Sequence, residues 1–338
     1  MPAFTPGLAL AHRYYTHVVA PLLGDRPHIA ARIGPGSDVL GYDGPRSTDH
    51  DWGPRLDLFC DDHGLTDELR HRLPAHFEGW PTHFTPAGAR VRSMTETDGP
   101  IDHYVTVTPF RRWIHDHLRC DPAAMDTRDW LTLPWQRLAE ITGGAVFHDP
   151  AGELHAVRDR LRWYPDDVWR HVLAAQWARI GEEEAFVGRT AEAGDELGSR
   201  LTAARLARDV ARLLLLLDRR WPPYQKWLTT AIRTDPATPM LTTAITTADP
   251  DERQDALCTA YEEAARRQNA LALCDPVQPT RRPYFDRGYP VIGAGRFTAA
   301  LRTAITDPEL ATRPVTGSID QISDNTEFVF GSSAKPSF

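Results

Sequence analysis

The chain has 338 residues, of which 41% are hydrophobic and 25% charged, with a net charge of -8 at pH 7 and a pI near 6.0. This is the composition of a folded globular protein long enough for two domains, which excludes disorder as the state of its body. The acidic balance offers no general attraction to a polyanion, which argues against nucleic acid as a partner and favours a small-molecule or protein substrate.

In chain order, apolar residues from about Pro6 to Leu23 (Leu8, Leu10, Val18, Val19, Leu22) follow helical spacing and stop at Gly24 and Pro27. This opening stretch has no basic segment followed by a continuous apolar one, so it does not read as a signal peptide. The longest apolar run, Leu213 to Leu217, is far too short to cross a bilayer. The expectation is a cytoplasmic protein without membrane contact.

Strands are predicted at His28–Ile33, ahead of Gly34-Pro35-Gly36, at Arg55–Cys60, where Leu56, Leu58 and Cys60 alternate with Arg55, Asp57 and Phe59, and at His103–Thr108. Strand, turn, strand, helix and strand within 120 residues predict a small mixed α/β domain over residues 1–120. From Trp130 the texture becomes helical, so residues 121–338 are expected to form a larger all-helical domain completing an active-site cleft. Its clearest helix runs from Leu197 to Leu217, with Leu197, Leu201, Ala204, Val210, Leu213, Leu214 and Leu217 as a core-facing stripe that Trp221-Pro222-Pro223 stops. Further helices are predicted over Asp251–Leu273 and, as the last, Phe297–Ile305, before a small polar tail from Gly331 that frays. Cys60, Cys120, Cys258 and Cys274 lack the short paired spacing of a zinc site and are expected as reduced core thiols.

The segment with chemical content begins at Gly36-Ser37, directly after the first predicted strand, and continues to Asp49-His50-Asp51. Glycine lets a backbone approach a ligand closely, and exposed turn amides with a serine hydroxyl suit a phosphate. Asp49 and Asp51 stand two apart, which in an extended strand points both carboxylates to one face and His50 away. Magnesium is commonly held by one or two carboxylates together with substrate phosphates, so an amide cradle and two aspartates make a complete set.

Gly-Ser, a spacer and Asp-x-Asp resemble the signature of the polymerase-beta-type nucleotidyltransferase superfamily. Asp43-Gly44-Pro45 followed by Ser47 is similar to the corresponding loop of kanamycin nucleotidyltransferase. Nearly the whole chain also resembles a family known as domain of unknown function 4037. The strings that carry this likeness are Ser47–Leu56, Tyr164–Trp169, Gly194-Asp195-Glu196-Leu197-Gly198, Pro223–Trp227 and Gly317-Ser318-Ile319-Asp320-Gln321.

The resemblance implies Mg2+-dependent transfer of a nucleotide monophosphate, commonly AMP from ATP, to a hydroxyl-type acceptor, with Gly36 and Ser37 on the triphosphate and Asp49 and Asp51 on the metal. Superfamily members often add a third carboxylate from a neighbouring strand. Tyr104–Thr108 has no acid, so Asp102 just before it is the candidate, against a plain turn role after Gly99-Pro100. In the helical half, Lys226 follows a Pro-Pro corner from which it can reach a phosphate or simply be solvated. Arg205 and Arg208 lie near the inner face of the Leu197 helix, where a triphosphate, or Asp195, Asp209 or Glu196, would be their partner. Asp195 and Glu196 open that helix as caps, while the resemblance to antibiotic nucleotidyltransferases, whose base comes from the helical domain, also implies one of them, Glu196 first, or Glu184 as general base.

The leading expectation is therefore a nucleotidyltransferase that binds a nucleoside triphosphate and a small-molecule acceptor. A nucleotide-binding sensor without turnover is the alternative that the missing acid on Tyr104–Thr108 motivates. Transfer to a protein or tRNA is the other, with Arg111-Arg112 and Arg281-Arg282 as local basic patches.

Overall fold

A computed structural model of the chain describes residues 2–323 and 325. The tail from Gly331, expected to fray, lies outside the described residues. The chain divides into two compact units, one holding residues up to Met125 together with Arg137–Arg162, the other holding Asp126–Gln136 and the residues from Trp163 onward. Where the sequence placed one boundary after residue 120, the chain passes between the units three times.

The first unit opens with α1 (Gly7–Tyr14), one π-helical turn over Tyr15–Val19, and α2 (Ala20–Leu23). These form the single helix expected there, and it ends at Gly24, whose φ of 56° is a conformation that favours glycine. Next come β1 (Ile29–Arg32), β2 (Arg55–Phe59), α3 (Leu65–Arg72), the short hairpin β3 (His76–Phe77) and β4 (Trp80–Pro81), β5 (Tyr104–Thr108) and α4 (Phe110–Leu118). All three predicted strands are present. In the four-stranded sheet the strand that the sequence did not announce is β6 (Ala145–His148), which joins after a stretch of chain that belongs to the other unit; the short β3 and β4 and the short hairpin of the second unit were not announced either.

The four-stranded sheet runs β5-β2-β1-β6, with β1 antiparallel to both neighbours and β2 parallel to β5. Alternation assigns its two faces. Ala30, Leu56, Leu58 and Val105 meet Tyr14, Val19 and Leu23 from the N-terminal helices and Leu65 and Leu69 from α3. Ile29, Ala31 and Phe59 meet Phe110 and Trp113 of α4 and Leu154 of α7 (Glu153–Arg160).

In the second unit α5 (Thr127–Thr132) precedes α6 (Trp135–Thr142), which passes into the first unit at Arg137. The chain returns with α8 (Asp166–Glu183), α9 (Phe186–Glu192), α10 (Glu196–Leu217), α11 (Gln225–Ala231), α12 (Thr238–Thr246) and α13 (Pro250–Ala270). A two-residue hairpin of β7 (Arg282–Pro283) and β8 (Pro290–Val291) follows, then α14 (Gly295–Thr303), α15 (Pro308–Thr312) and α16 (Ile319–Ile322), so the helix near Phe297 is not the last. Two tryptophans join these helices: Trp169 donates to Leu216 O at 3.0 Å, and Trp177 donates to Gln268 Oε1 and stacks on Phe297 with centroids 4.5 Å apart.

Several expectations are corrected. Leu197 and Leu201 do not belong to the core stripe, being 68% and 64% exposed, whereas Val210, Leu213, Leu214 and Leu217 are buried. α10 stops at Leu217, where Arg219 turns left-handed (φ 53°), before the chain reaches Pro222. Of the four cysteines, none of them in a disulfide among the described residues, only Cys258 is buried. Among the described residues no helix is long and apolar enough to cross a membrane.

The two classes of leucine on α10 separate in urea unfolding. Leu214→Ala, which empties a fully buried position, should cost about 2–5 kcal/mol, while Leu201→Ala should stay within about 0.5 kcal/mol of the parent.

Candidate functional site

The loop between β1 and β2 is organised around a buried guanidinium. Arg32, at the end of β1, donates from Nε to Asp38 Oδ2 at 2.7 Å and from Nη2 to Asp38 Oδ1 at 2.8 Å. Its remaining donors reach Ile33 O at 2.7 Å and Pro35 O at 2.8 Å. Burial alone would raise the Asp38 carboxyl, but Arg32 and Arg55 outweigh it and bring Asp38 below its ordinary range. Gly36 passes directly over this pair with φ 153°, and a Cβ there would stand 2.2 Å from both Arg32 Nη2 and Asp38 Oδ1. The chemistry thus demands glycine at 36.

The amides of Gly36, Ser37 and Asp38 donate to no acceptor among the described residues, and neither does the Ser37 hydroxyl. The two ends of the loop are fixed elsewhere: Gly34 N donates to Glu140 O at 2.9 Å, and Gly144 N to Val39 O at 2.8 Å. Asp43 Oδ2 accepts from Gly7 N at 2.7 Å and Trp52 Nε1 at 3.0 Å, which ties the loop to the start of α1.

A second buried guanidinium joins the two halves of the sequence motif. Arg55, at the start of β2, donates to Pro35 O at 3.4 Å on one side and to Asp51 O on the other, with its guanidinium 4.1 Å from the Tyr104 ring centroid. It pairs with no carboxylate among the described residues, and burial together with the charge of Arg32 lowers its pKa. Two guanidiniums, Arg32 and Arg55, and two carboxylates, Asp38 and Asp57, thus interact as one buried group next to the Gly36-Ser37 turn. On the same strand Asp57 is buried, accepts from Ile33 N at 3.3 Å, and stands 3.7 Å from Arg32 Nη1. Burial outweighs the arginines there and raises its pKa.

Asp49 and Asp51 do not lie on an extended strand. Pro45–Asp49 forms a short 3-10 turn, and Asp51 is left-handed with φ 46°, so strand alternation does not set their directions. His50, expected to point away, instead approaches Asp49 Oδ1 with Nδ1 at 2.9 Å, because the kinked backbone removes the alternation. Asp51 Oδ1 accepts from Arg92 N at 3.0 Å and Tyr104 OH at 3.1 Å, while its Oδ2 accepts nothing among the described residues. Arg92 also donates to Asp102 O at 3.1 Å and so links the backbone of Asp102 to Asp51. The half-buried Asp102 carboxylate makes no hydrogen bond among the described residues.

For magnesium the donor set fits in kind, with two partly exposed carboxylates and a free oxygen on Asp51. Protein groups alone do not complete it, since no cluster of three His, Cys, Asp or Glu suited to a metal exists among the described residues.

The remaining candidates lie in the second unit. Asp195 caps α10 by accepting from Gly198 N at 2.8 Å. Glu196 is held by Arg253 and Arg200, which press its pKa down to about 2, the wrong direction for a base at neutral pH. Glu184 receives the amides of Ile292, Gly293 and Ala294 at 2.8–3.0 Å and anchors that loop. Arg205 is exposed and pairs with Glu183 at 3.1 Å; Arg208 is half-buried; Lys226 is exposed, 4.8 Å from the Trp227 ring centroid. Asp209, offered as a partner for these arginines, is taken by Arg179 and Gln176.

The sequence missed Arg32, Asp38, Arg55, Asp57 and Arg92. A signal was present, since charges at 55 and 57 alternate with leucines in a strand that the structure buries on both faces. It also missed Arg212, which donates to Asp320 O at 3.1 Å in a buried cluster where Asp320 Oδ2 accepts from Trp135 N at 2.9 Å.

Residues 130–228 match DUF4037, a domain of unknown function. Among solved structures, a nucleotidyltransferase-like protein from Exiguobacterium sibiricum 255-15 aligns at 11% identity with a TM-score of 0.32, over 78% of this chain and 76% of that one. No curated protein matches. The strings noted in the DUF4037 stretch are joints of the helical unit: Asp167 accepts from Arg170, Thr306 and Asp307, Asp195 caps α10, and Tyr224 N donates to Gln136 Oε1.

Two measurements test this arrangement. Gly36→Ala should cost about 3 kcal/mol in chemical unfolding, because a methyl there must break a buried ion pair. Burial raises Asp320 from 3.8 to about 6, so its contribution is fully present below pH 3.8 and is lost as pH rises through 6. Asp320→Asn should therefore flatten the stability profile between pH 4 and 6, where the parent loses on the order of 2 kcal/mol.

Proposed function

We propose that the chain is a nucleotidyltransferase that transfers a nucleoside monophosphate, AMP from ATP, to a hydroxyl on a small acceptor. One observation carries this: three consecutive free amides at Gly36, Ser37 and Asp38 and the Asp51 loop flank the single guanidinium of Arg55. The amides and the Ser37 hydroxyl would hold a phosphate, with the guanidinium of Arg55 next to them. Asp49 and Asp51 would hold the magnesium ion, which when bound neutralises phosphate charge. Asp102, linked to Asp51 through Arg92, is the third carboxylate of this reading.

In the transfer the acceptor oxygen bonds to the α-phosphorus, the bond to pyrophosphate breaks, and the acceptor proton passes to solvent. Positioning is the protein's main contribution to such a step. Glu196, tied to two arginines, is not assigned the proton. Within the helical unit, Arg205 is engaged by Glu183. In the cellular setting this reading gives a cytoplasmic enzyme.

A second reading, a nucleotide sensor without turnover, is favoured by the register of the sheet. Asp57 on β2 pairs across to Thr106 on β5, so the neighbouring strand presents a hydroxyl rather than an acid.

Calorimetry with ATP and magnesium, together with a pyrophosphate assay over a broad acceptor panel, separates the readings. The parent should bind ATP in a magnesium-dependent manner and release pyrophosphate, whereas Asp49→Asn/Asp51→Asn should lose both with an unchanged melting curve. Binding without pyrophosphate favours the sensor, and unaltered binding by the double variant overturns both.

A further inference from the structure

In the first unit, α4, a short 3-10 turn at Pro122–Ala124 and α7 enclose a cavity of about 740 Å³, within the range of small-molecule sites. Its lining includes none of residues 32–57, so it is distinct from the Gly36-Ser37 loop. The floor is apolar, built by Phe110, Ile114, Pro122, Ala156 and Val157. Arg111 stands on the α4 wall and Arg160 on the α7 wall.

These two arginines differ from those beside them. Arg112 pairs with Asp116 at 3.7 Å, Arg158 donates to Gly143 O at 2.7 Å and Thr142 O at 2.9 Å, and Arg162 pairs with Asp159. Arg111 and Arg160 make no hydrogen bond or ion pair among the described residues. Two acids, Asp121 and Glu153, also line the cavity, and neither pairs with Arg111 or Arg160 among the described residues. Asp121 accepts from Ala123 N at 2.9 Å as the cap of the 3-10 turn, and Glu153 occupies the first turn of α7, where the helix terminus favours a carboxylate.

We propose that this cavity binds a small organic anion whose apolar body fills the floor and whose head group is taken by Arg111 and Arg160. Guanidinium forks suit a planar carboxylate or a phosphate-type oxyanion, and an apolar floor between two such forks selects an amphipathic ligand over a free inorganic ion. The proposal does not depend on nucleotide transfer.

The probe is 8-anilinonaphthalene-1-sulfonate, an aromatic body with an anionic head, with uncharged Nile red as its counterpart. Cys120 lines the cavity and Cys60 does not, and both are half-buried, so their alkylation rates report occupancy site by site. The sulfonate should bind at one site and protect Cys120 but not Cys60. Arg111→Glu/Arg160→Glu, at two exposed positions, should weaken it about tenfold while Nile red is unaffected. Ala156→Trp, which fills the cavity, should abolish binding of both dyes with an unchanged circular dichroism spectrum. Failure to bind, absence of Cys120 protection, or parental affinity in the double arginine variant would each overturn the proposal.

Discussion

The first unit depends on the burial of Arg32. A guanidinium taken out of water is costly unless its donors find partners, and here Asp38 supplies two acceptors, Ile33 and Pro35 one each, and Asp57 stands 3.7 Å from Nη1. Satisfying that one side chain bends the chain sharply after β1, leaves room only for glycine at 36, and keeps the next amides out of any regular ladder. Pro35 O then serves a second guanidinium, Arg55, which reaches Asp51 from β2. A structural requirement of the strand end thereby produces a run of unsatisfied donors beside a carboxylate loop, and the same charges that hold the fold also polarise the place where an anion would sit.

The helical unit follows a different logic. Its carboxylates are largely consumed as joints: Glu184 on three amides, Asp167 on Thr306 and Asp307, Asp209 on Arg179, and Asp320 on Trp135. Such bonded carboxylates fix loops and helix ends with the specificity that apolar packing alone lacks. They also explain why acidic residues that look available in the sequence are poor candidates for proton transfer.

The three strands of the N-terminal sheet were legible because their apolar residues alternate and glycine or proline bounds them. Gly36-Ser37 was legible for the same reason, as a turn directly after a strand. The relation of Asp49 to Asp51 was not, since a left-handed residue at 51 cancels the alternation on which the inference rested. Arg32 and Arg55 escaped notice because a charge reads as exposed until its partners are known, and Asp38, Pro35 and Asp51 become partners only when the loop closes. The stripe of α10 was legible at its C-terminal half and overextended at Leu197 and Leu201, where periodicity persists beyond the helices that cover it. β6 was invisible because nothing in four residues signals that a strand will return to a sheet begun more than a hundred residues earlier.

That return has a consequence for how the molecule can be taken apart. Residues 126–136 belong to the helical unit, yet β6 pairs with β1, so neither unit is a continuous piece of chain. A fragment ending near residue 125 would carry the Gly36-Ser37 loop but lack β6, leaving β1 as a bare edge of the kind that recruits other strands and aggregates. It would also lack the Glu140 and Gly144 backbone groups that hold the loop from either side. On the ribosome the sheet cannot be completed until His148 has emerged, after the first segment of the helical unit has already been made. The two units are modular in space and interlaced in synthesis.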